Sequence, residues 1–289
     1  MKVDQRTLAR QALAKAMRVR QMGHKTLWEP LCIFDLVESL GVEVRFCDIS
    51  SMEGMYCRAS QPIILINSLR PSGRQAYTCA HELGHHVFGH GTCIDEFEYV
   101  KARHSPIEFL AEVFAGFLLM PKLGVQRAFN IHKWEPSSLS PLQAYYLAGF
   151  FGVGYSTFLL HINRTLNLLP ESTSKSLECK RPLEIRSSIL GEECSRNLHI
   201  VDNLWTSRSI DIEIGDFVLA PQESIHEGKC LEHVDMIKCG SLFRGVSQGV
   251  GRISVGEEKW CGFVRISKKQ FVGRNIYRYL DDSQSDDVS

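Results

Sequence analysis

His81, Glu82 and His85 stand in the spacing H-E-x-x-H within residues 78–91, T-C-A-H-E-L-G-H-H-V-F-G-H-G. On an α-helix, side chains four residues apart share a face about one turn apart. His81 and His85 could therefore bring two imidazole nitrogens to a single ion, as a tetrahedral zinc site requires. Glu82 sits roughly 100° around the helix from His81, so its carboxylate can act as a base on water beside the ion without ligating it. Two imidazole ligands and a base at this spacing are the arrangement of metal-dependent peptide hydrolysis. A chance occurrence on a charged helix face is the competing explanation. The flanks here are largely apolar, and buried His and Glu side chains without partners would be costly, which favours a metal site. His86 and His90 form a second i,i+4 pair, but no Glu follows His86 and His90 lies between Gly89 and Gly91. They are expected to flank or support the ligands rather than to bind metal themselves.

The helix that must carry the motif is legible. Ala76, Tyr77, Cys79, Ala80, Leu83, Val87 and Phe88 recur with helical period, Pro71 and Ser72 fit its start, and Gly89 and Gly91 fit its stop. Gly84 costs roughly 1 kcal/mol in a helix interior and marks a place where something packs closely. A catalytic zinc commonly takes two His and one Glu and keeps a position for water. The third ligand can come from a second helix, 106–120, stopped by Pro121, on which Glu108, Ala111, Glu112 and Ala115 share a face. One of Glu108 and Glu112 would ligate while the other hydrogen-bonds a ligand imidazole; spacing leaves both assignments open. Three strand candidates, 42–46, 54–58 and 63–67, form a small sheet before the metal helix. Either of the latter two could hold an extended substrate along a sheet edge, or simply support the helix. The polar stretch 92–105 reads as a loop, and its Tyr99, Arg103 and His104 are candidate donors to a developing oxyanion, with no basis for choosing among them.

Bulk properties bound the rest. The chain has 289 residues, with 33 basic and 33 acidic side chains and 44% hydrophobic content, which is ample for a core and gives no global drive toward nucleic acid or acidic membranes. No run approaches the ~18 apolar residues of a membrane span, and the start lacks a signal-peptide core. The ten cysteines include no C-x-x-C pair and read as reduced thiols, hence a cytoplasmic setting. The basic helix 1–22 reads as a solvated face. Helices at 122–130, 141–151 and 155–168 follow, the last two with helix-turn-helix rhythm. The second of that pair carries no Lys or Arg before Arg164, which favours a structural pair over DNA readout. The expected class is α+β. A metallopeptidase domain over 1–170 combines a small sheet and a helix bundle, and a polar linker occupies 171–181. A β-rich, all-β domain spans 182–280, and an acidic, disordered tail ends the chain at 281–289.

Three blocks give the sequence a resemblance to the ImmA/IrrE metallopeptidases within residues 42–168. They are I-L-I-N-S-L-R-P-S-G-R-Q-A-Y-T-C-A-H-E-L-G-H (64–85), E-F-L-A-E-V-F-A-G-F-L-L-M-P (108–121) and F-G-V-G-Y-S-T-F-L-L (151–160). The resemblance implies a zincin-like core with one zinc ion per chain on His81, His85 and Glu108, and Glu112 as hydrogen-bonding partner of a ligand. That last position holds Glu where the family pattern has Asn or Asp. The implied function is a zinc endopeptidase that cleaves a helix-turn-helix repressor or an antitoxin-like protein during stress or in mobile elements. The alternatives are a regulator that sequesters such a protein without cleaving it, and a DNA-associated regulator. The region after about residue 180 lies outside the resemblance.

Overall fold

Val44, Phe46, Ile64 and Ile66 are buried while Glu43, Arg45, Cys47, Ile63 and Leu65 are less so, the period-two alternation of a sheet with one face on a core. The computed structural model describes residues 4–96, 105–191, 195–206, 208–256 and 260–280. Its sheet is formed by β1 (Glu43–Cys47), β2 (Met52–Cys57), β3 (Ile63–Asn67), β4 (Cys93–Glu96) and the distant β13 (Gly273–Arg274) in the order β13-β1-β3-β2-β4. β1 and β3 run parallel, and the other pairs are antiparallel. α1 (Gln5–Met22) and α2 (Ile33–Ser39) precede the sheet, and α3 (Ser72–Phe88) crosses it against β2 and β3. α4 (Pro106–Leu119) packs between α3 and α1, the latter contributing Leu8, Ala12, Ala16 and Val19 at helical spacing. Arg20, at the end of α1, is buried. Its Nε donates to the Thr26 carbonyl at 2.7 Å, and its other nitrogens donate to the carbonyls of Leu118 and Glu29, tying α1 to the end of α4.

Among the described residues, the α-helices that follow are α5 (Lys122–His132), α6 (Pro141–Phe150), α7 (Tyr155–Leu160), α8 (Glu171–Glu178) and α9 (Pro182–Leu190). Ser140 and Gln143 close a reciprocal capping box at the start of α6. The chain then forms β5 (Leu198–Ile200), β6 (Ile210–Glu213), β7 (Phe217–Ala220), β8 (Ile225–Glu227), β9 (Leu231–Ile237), β10 (Gly240–Gly245), β11 (Gly249–Val255) and β12 (Trp260–Ser267). These strands make two four-stranded sheets, β5-β7-β10-β9 and β6-β12-β11-β8. Their inward residues, including Ile210, Phe243, Ile253 and Val264, join one apolar cluster with the helices and the first sheet. The join is also polar. Arg265 on β12 forks onto Asp211 at 2.6 and 2.7 Å and reaches Asp35 of α2 at 3.1 Å. Arg208 donates to the Gly149 carbonyl at 2.7 Å, covering the turn between α6 and α7.

The α+β class holds, with several departures from the expected elements. The stretch read as a linker contains α8, whose Thr173, Ser174 and Leu177 are buried, and α9 opens the region read as β-rich. α7 stops at Leu160 and continues as a wider turn over His161–Thr165, short of the expected 168. The acidic tail 281–289 lies outside the described residues. No helix among the described residues is long and apolar enough to cross a membrane.

His161, in that wide turn, is buried. Its Nε2 lies 3.0 Å from the Met120 carbonyl and so carries the proton, while Nδ1 faces Gly116, where a Cβ would come within 2.6 Å. Burial pushes its pKa down from 6.5 to about 4, against the opposing pull of the Met120 carbonyl. Between those values the unfolded chain binds a proton that the folded chain refuses. The contribution is therefore intact above pH 6.5 and is lost as pH falls toward 4, with a ceiling of about 3 kcal/mol. His161→Gln should flatten this part of the profile. The check is the difference in denaturant unfolding free energy between wild type and variant, measured from pH 7 to 4.5; a pH-independent difference would show that His161 does not titrate this way.

Candidate metal centre

The N-terminal end of α3 is tethered to β2. Arg70 and Arg74 place their Nε atoms 3.3 and 3.1 Å from the two carboxylate oxygens of the buried Glu53. The β2–β4 ladder slips at Glu53, with Met52 opposite Glu96 and Gly54 opposite Asp95. A bulge of this kind re-aims one side chain beside a functional site. The next residue, Gly54, lies so close to α3 that a Cβ would meet Thr78 Cγ2 at 2.4 Å and Glu82 Oε1 at 3.1 Å. The carboxylate of Glu82 is thus held between α3 and β2, and Glu82 is 0% exposed.

The opposite side of α3 meets α4. A Cβ on Gly84 would stand 3.1 Å from Ala111 Cα and from Phe114 Cδ1, so this glycine is the close approach its cost anticipated. α4 begins at Ser105, whose Oγ accepts the Glu108 N–H at 3.1 Å, and Pro106 occupies its first turn. That register puts Glu108 over the two imidazoles. Its Oε2 lies 3.2 Å from His81 Nε2 and 3.6 Å from His85 Nε2, and the two Nε2 atoms are 3.1 Å apart. Tetrahedral ligands each about 2.0–2.2 Å from a zinc ion stand roughly 3.4 Å from one another, so the three donors already have the spacing of such a set. His81 and His85 are buried and Glu108 is partly open, and this trio is a group able to hold a metal ion. Hydrogen bonds from His81 and then His85 hold the Glu108 carboxyl well below the usual carboxylate range.

The structure thus brings together His81, His85 and Glu108; Glu82 follows His81 on α3, with its carboxylate on the β2 side. Glu112, one turn further along α4, is exposed and is not in the trio; its backbone carbonyl accepts from Tyr77 Oη at 3.1 Å. Tyr99, Arg103 and His104 lie outside the described residues. The two strands considered for a substrate-binding edge, β2 and β3, are interior to the sheet, and β4 occupies the edge instead. Two histidines set aside as non-ligands have defined partners. His86 Nδ1 lies 2.8 Å from Tyr56 Oη, and His90 Nδ1 lies 3.0 Å from His85 Nδ1. Burial, and then the neighbouring His85, depress the His90 pKa, which favours the neutral ring. The sequence signal for His90 was its place just past the helix-ending Gly89, whose φ of +70° turns the chain back over α3.

Residues 37–163 match the family model Peptidase_M78, described as an IrrE N-terminal-like domain. A Mycobacterium tuberculosis transcriptional regulator of known structure aligns at 16% identity and a TM-score of 0.37, over 53% of this chain and 46% of its own, so the chain spans about half the length of that protein. No curated protein matches this chain.

Proposed function

Given that this chain belongs to the Peptidase_M78 family through an IrrE N-terminal-like domain at residues 37–163, we propose that it is a zinc-dependent endopeptidase whose substrate is a helix-turn-helix repressor or an antitoxin-like protein. The observation that carries this reading is the convergence of His81, His85 and Glu108, with the buried Glu82 adjacent to His81 on the same helix. A zinc ion held by the trio would supply polarisation of the scissile carbonyl and acidification of water. Glu82 is the base: its carboxylate takes the proton of the attacking water and returns it to the leaving amine. Close packing against Gly54 leaves no room for a side chain there and supports a fixed direction for the buried carboxylate. The identity of the substrate class follows from the family resemblance of the three sequence blocks, and the cytoplasmic setting from the cysteine pattern.

The test is a comparison of protein N-termini in cells making wild type or Glu82→Gln at equal levels. A small set of new termini present only with wild type is expected, and it would also identify the substrate. Matching profiles under several stresses would remove the peptidase reading and leave binding without cleavage.

A further inference from the structure

Resting on the metal-centre reading above, we infer that His90 is a positioning residue for His85, holding that ligand's ring and proton by accepting a hydrogen bond from its Nδ1. His85 directs Nε2 at His81 Nε2 and Glu108 Oε2. An imidazole that offers a lone pair at Nε2 carries its proton on Nδ1. The atom 3.0 Å from His85 Nδ1 is His90 Nδ1, with the rings 5.2 Å apart at 68°. The His90 Nδ1 therefore accepts, and its own proton sits on Nε2. Metal-binding histidines usually give this second N–H to a carboxylate, a carbonyl or water, and the partner fixes the tautomer and raises ligand basicity. Here a neutral imidazole fills that place for His85.

The local chain is built to hold the His90 ring there. Gly89 and Gly91 have φ of +70° and +88°, backbone that a side chain would strain. Between them the His90 N–H donates to the His85 carbonyl at 3.0 Å, closing the chain back onto the residue it supports. The ring stacks on Phe88 at 5.5 Å and 11°, and Phe88 in turn meets the edge of Phe114 at 6.0 Å. Phe114 belongs to α4, the helix that delivers Glu108. The Gly-His-Gly turn thus ties the orientation of one ligand to the element that brings another.

Two substitutions in the full chain separate acceptor from packing. His90→Phe keeps a ring over Phe88 and removes the acceptor, whereas His90→Gln restores an acceptor oxygen without the ring. Zinc affinity is read by competition against a chromophoric chelator, and the melting temperature is read on metal-free protein. The expected result is zinc binding weakened about 10–100-fold in His90→Phe and about threefold or less in His90→Gln, with metal-free melting unchanged in both. Wild-type affinity in His90→Phe overturns the inference while leaving the metal centre standing. So does an equal loss in both variants accompanied by lower metal-free melting, which would mark a packing role. Failure of wild type to bind one zinc per chain overturns the metal centre and this inference together.

Discussion

His85→Ala is expected to weaken zinc binding by roughly 10³-fold and to bring the melting temperature of the zinc-treated protein down to that of metal-free protein. Apparent zinc binding free energies of about 10–16 kcal/mol in four-ligand structural sites assign several kcal/mol to each ligand, and about 4 kcal/mol is a factor of roughly 10³. The imidazole of His85 is buried, with 1% exposure, so water has little room to replace it as a ligand. The trio also spans two helices, with His81 and His85 on α3 and Glu108 on α4. An ion bound there links them, and a ligand that binds only the folded state stabilises it by mass action. Removing the ring leaves a cavity as well, which costs stability whether or not metal is present. Chelator-treated wild type separates the two effects, because it loses the metal and keeps the ring. Zinc content and melting, each with and without chelator, make the comparison; equal zinc content and melting in variant and wild type would mean that His85 is not a ligand.

The parts of this site that were legible in the sequence are those fixed by helix geometry. His81, Glu82 and His85 lie on one helix, so their relative positions follow from residue number. Gly84 announced a close neighbour through its cost in a helix interior, and that neighbour is Ala111 of α4. What spacing left open was which of Glu108 and Glu112 faces the imidazoles. Both lie on the same face of α4, one turn apart, and the choice depends on how far α4 slides along α3. The Ser105 cap and the contact at Gly84 set that slide, and neither the cap's placement nor the contact can be measured along the chain. β4 was missed for a similar reason. Cys93–Glu96 is four residues in a polar stretch, and it is a strand because β2 offers it a ladder. β13 is two residues paired with β1 from the far end of the chain. α8 was hidden by its serines and threonine, which favour turns in isolation. Its helix is set by tertiary contacts, with Tyr155 Oη donating to the Leu177 carbonyl at 3.0 Å and the Asn163 side-chain amide donating to Ser174 Oγ at 2.6 Å.

Gly54→Ala should lower peptidase turnover by roughly 10²-fold while leaving zinc binding close to wild type, since displacement of a catalytic group by about 1 Å has an effect of that size. The added Cβ would stand 2.4 Å from Thr78 Cγ2, 3.2 Å from Glu82 Cγ and 3.1 Å from Glu82 Oε1. Thr78 is branched at Cβ and lies inside α3, so its methyl cannot simply swing away. Nor can the strand retreat freely, because the neighbouring Glu53 is pinned to Arg70 and Arg74. The strain therefore falls on the separation of β2 from α3 at the level of Glu82, with an overpacking cost of about 1–3 kcal/mol. The trio is oriented toward α4, on the side of α3 where Gly84 meets Ala111, so it should bind zinc as before. Thr78→Ser removes the methyl and keeps the hydroxyl. Combined with Gly54→Ala it should recover about tenfold of the lost turnover, a coupling expected only of residues in direct contact. The measurement is turnover of the substrate found from the new N-termini, with zinc stoichiometry on the same samples. Full activity in the single variant, or a double variant no better than the single, would mean that β2 does not set the position of the Glu82 carboxylate.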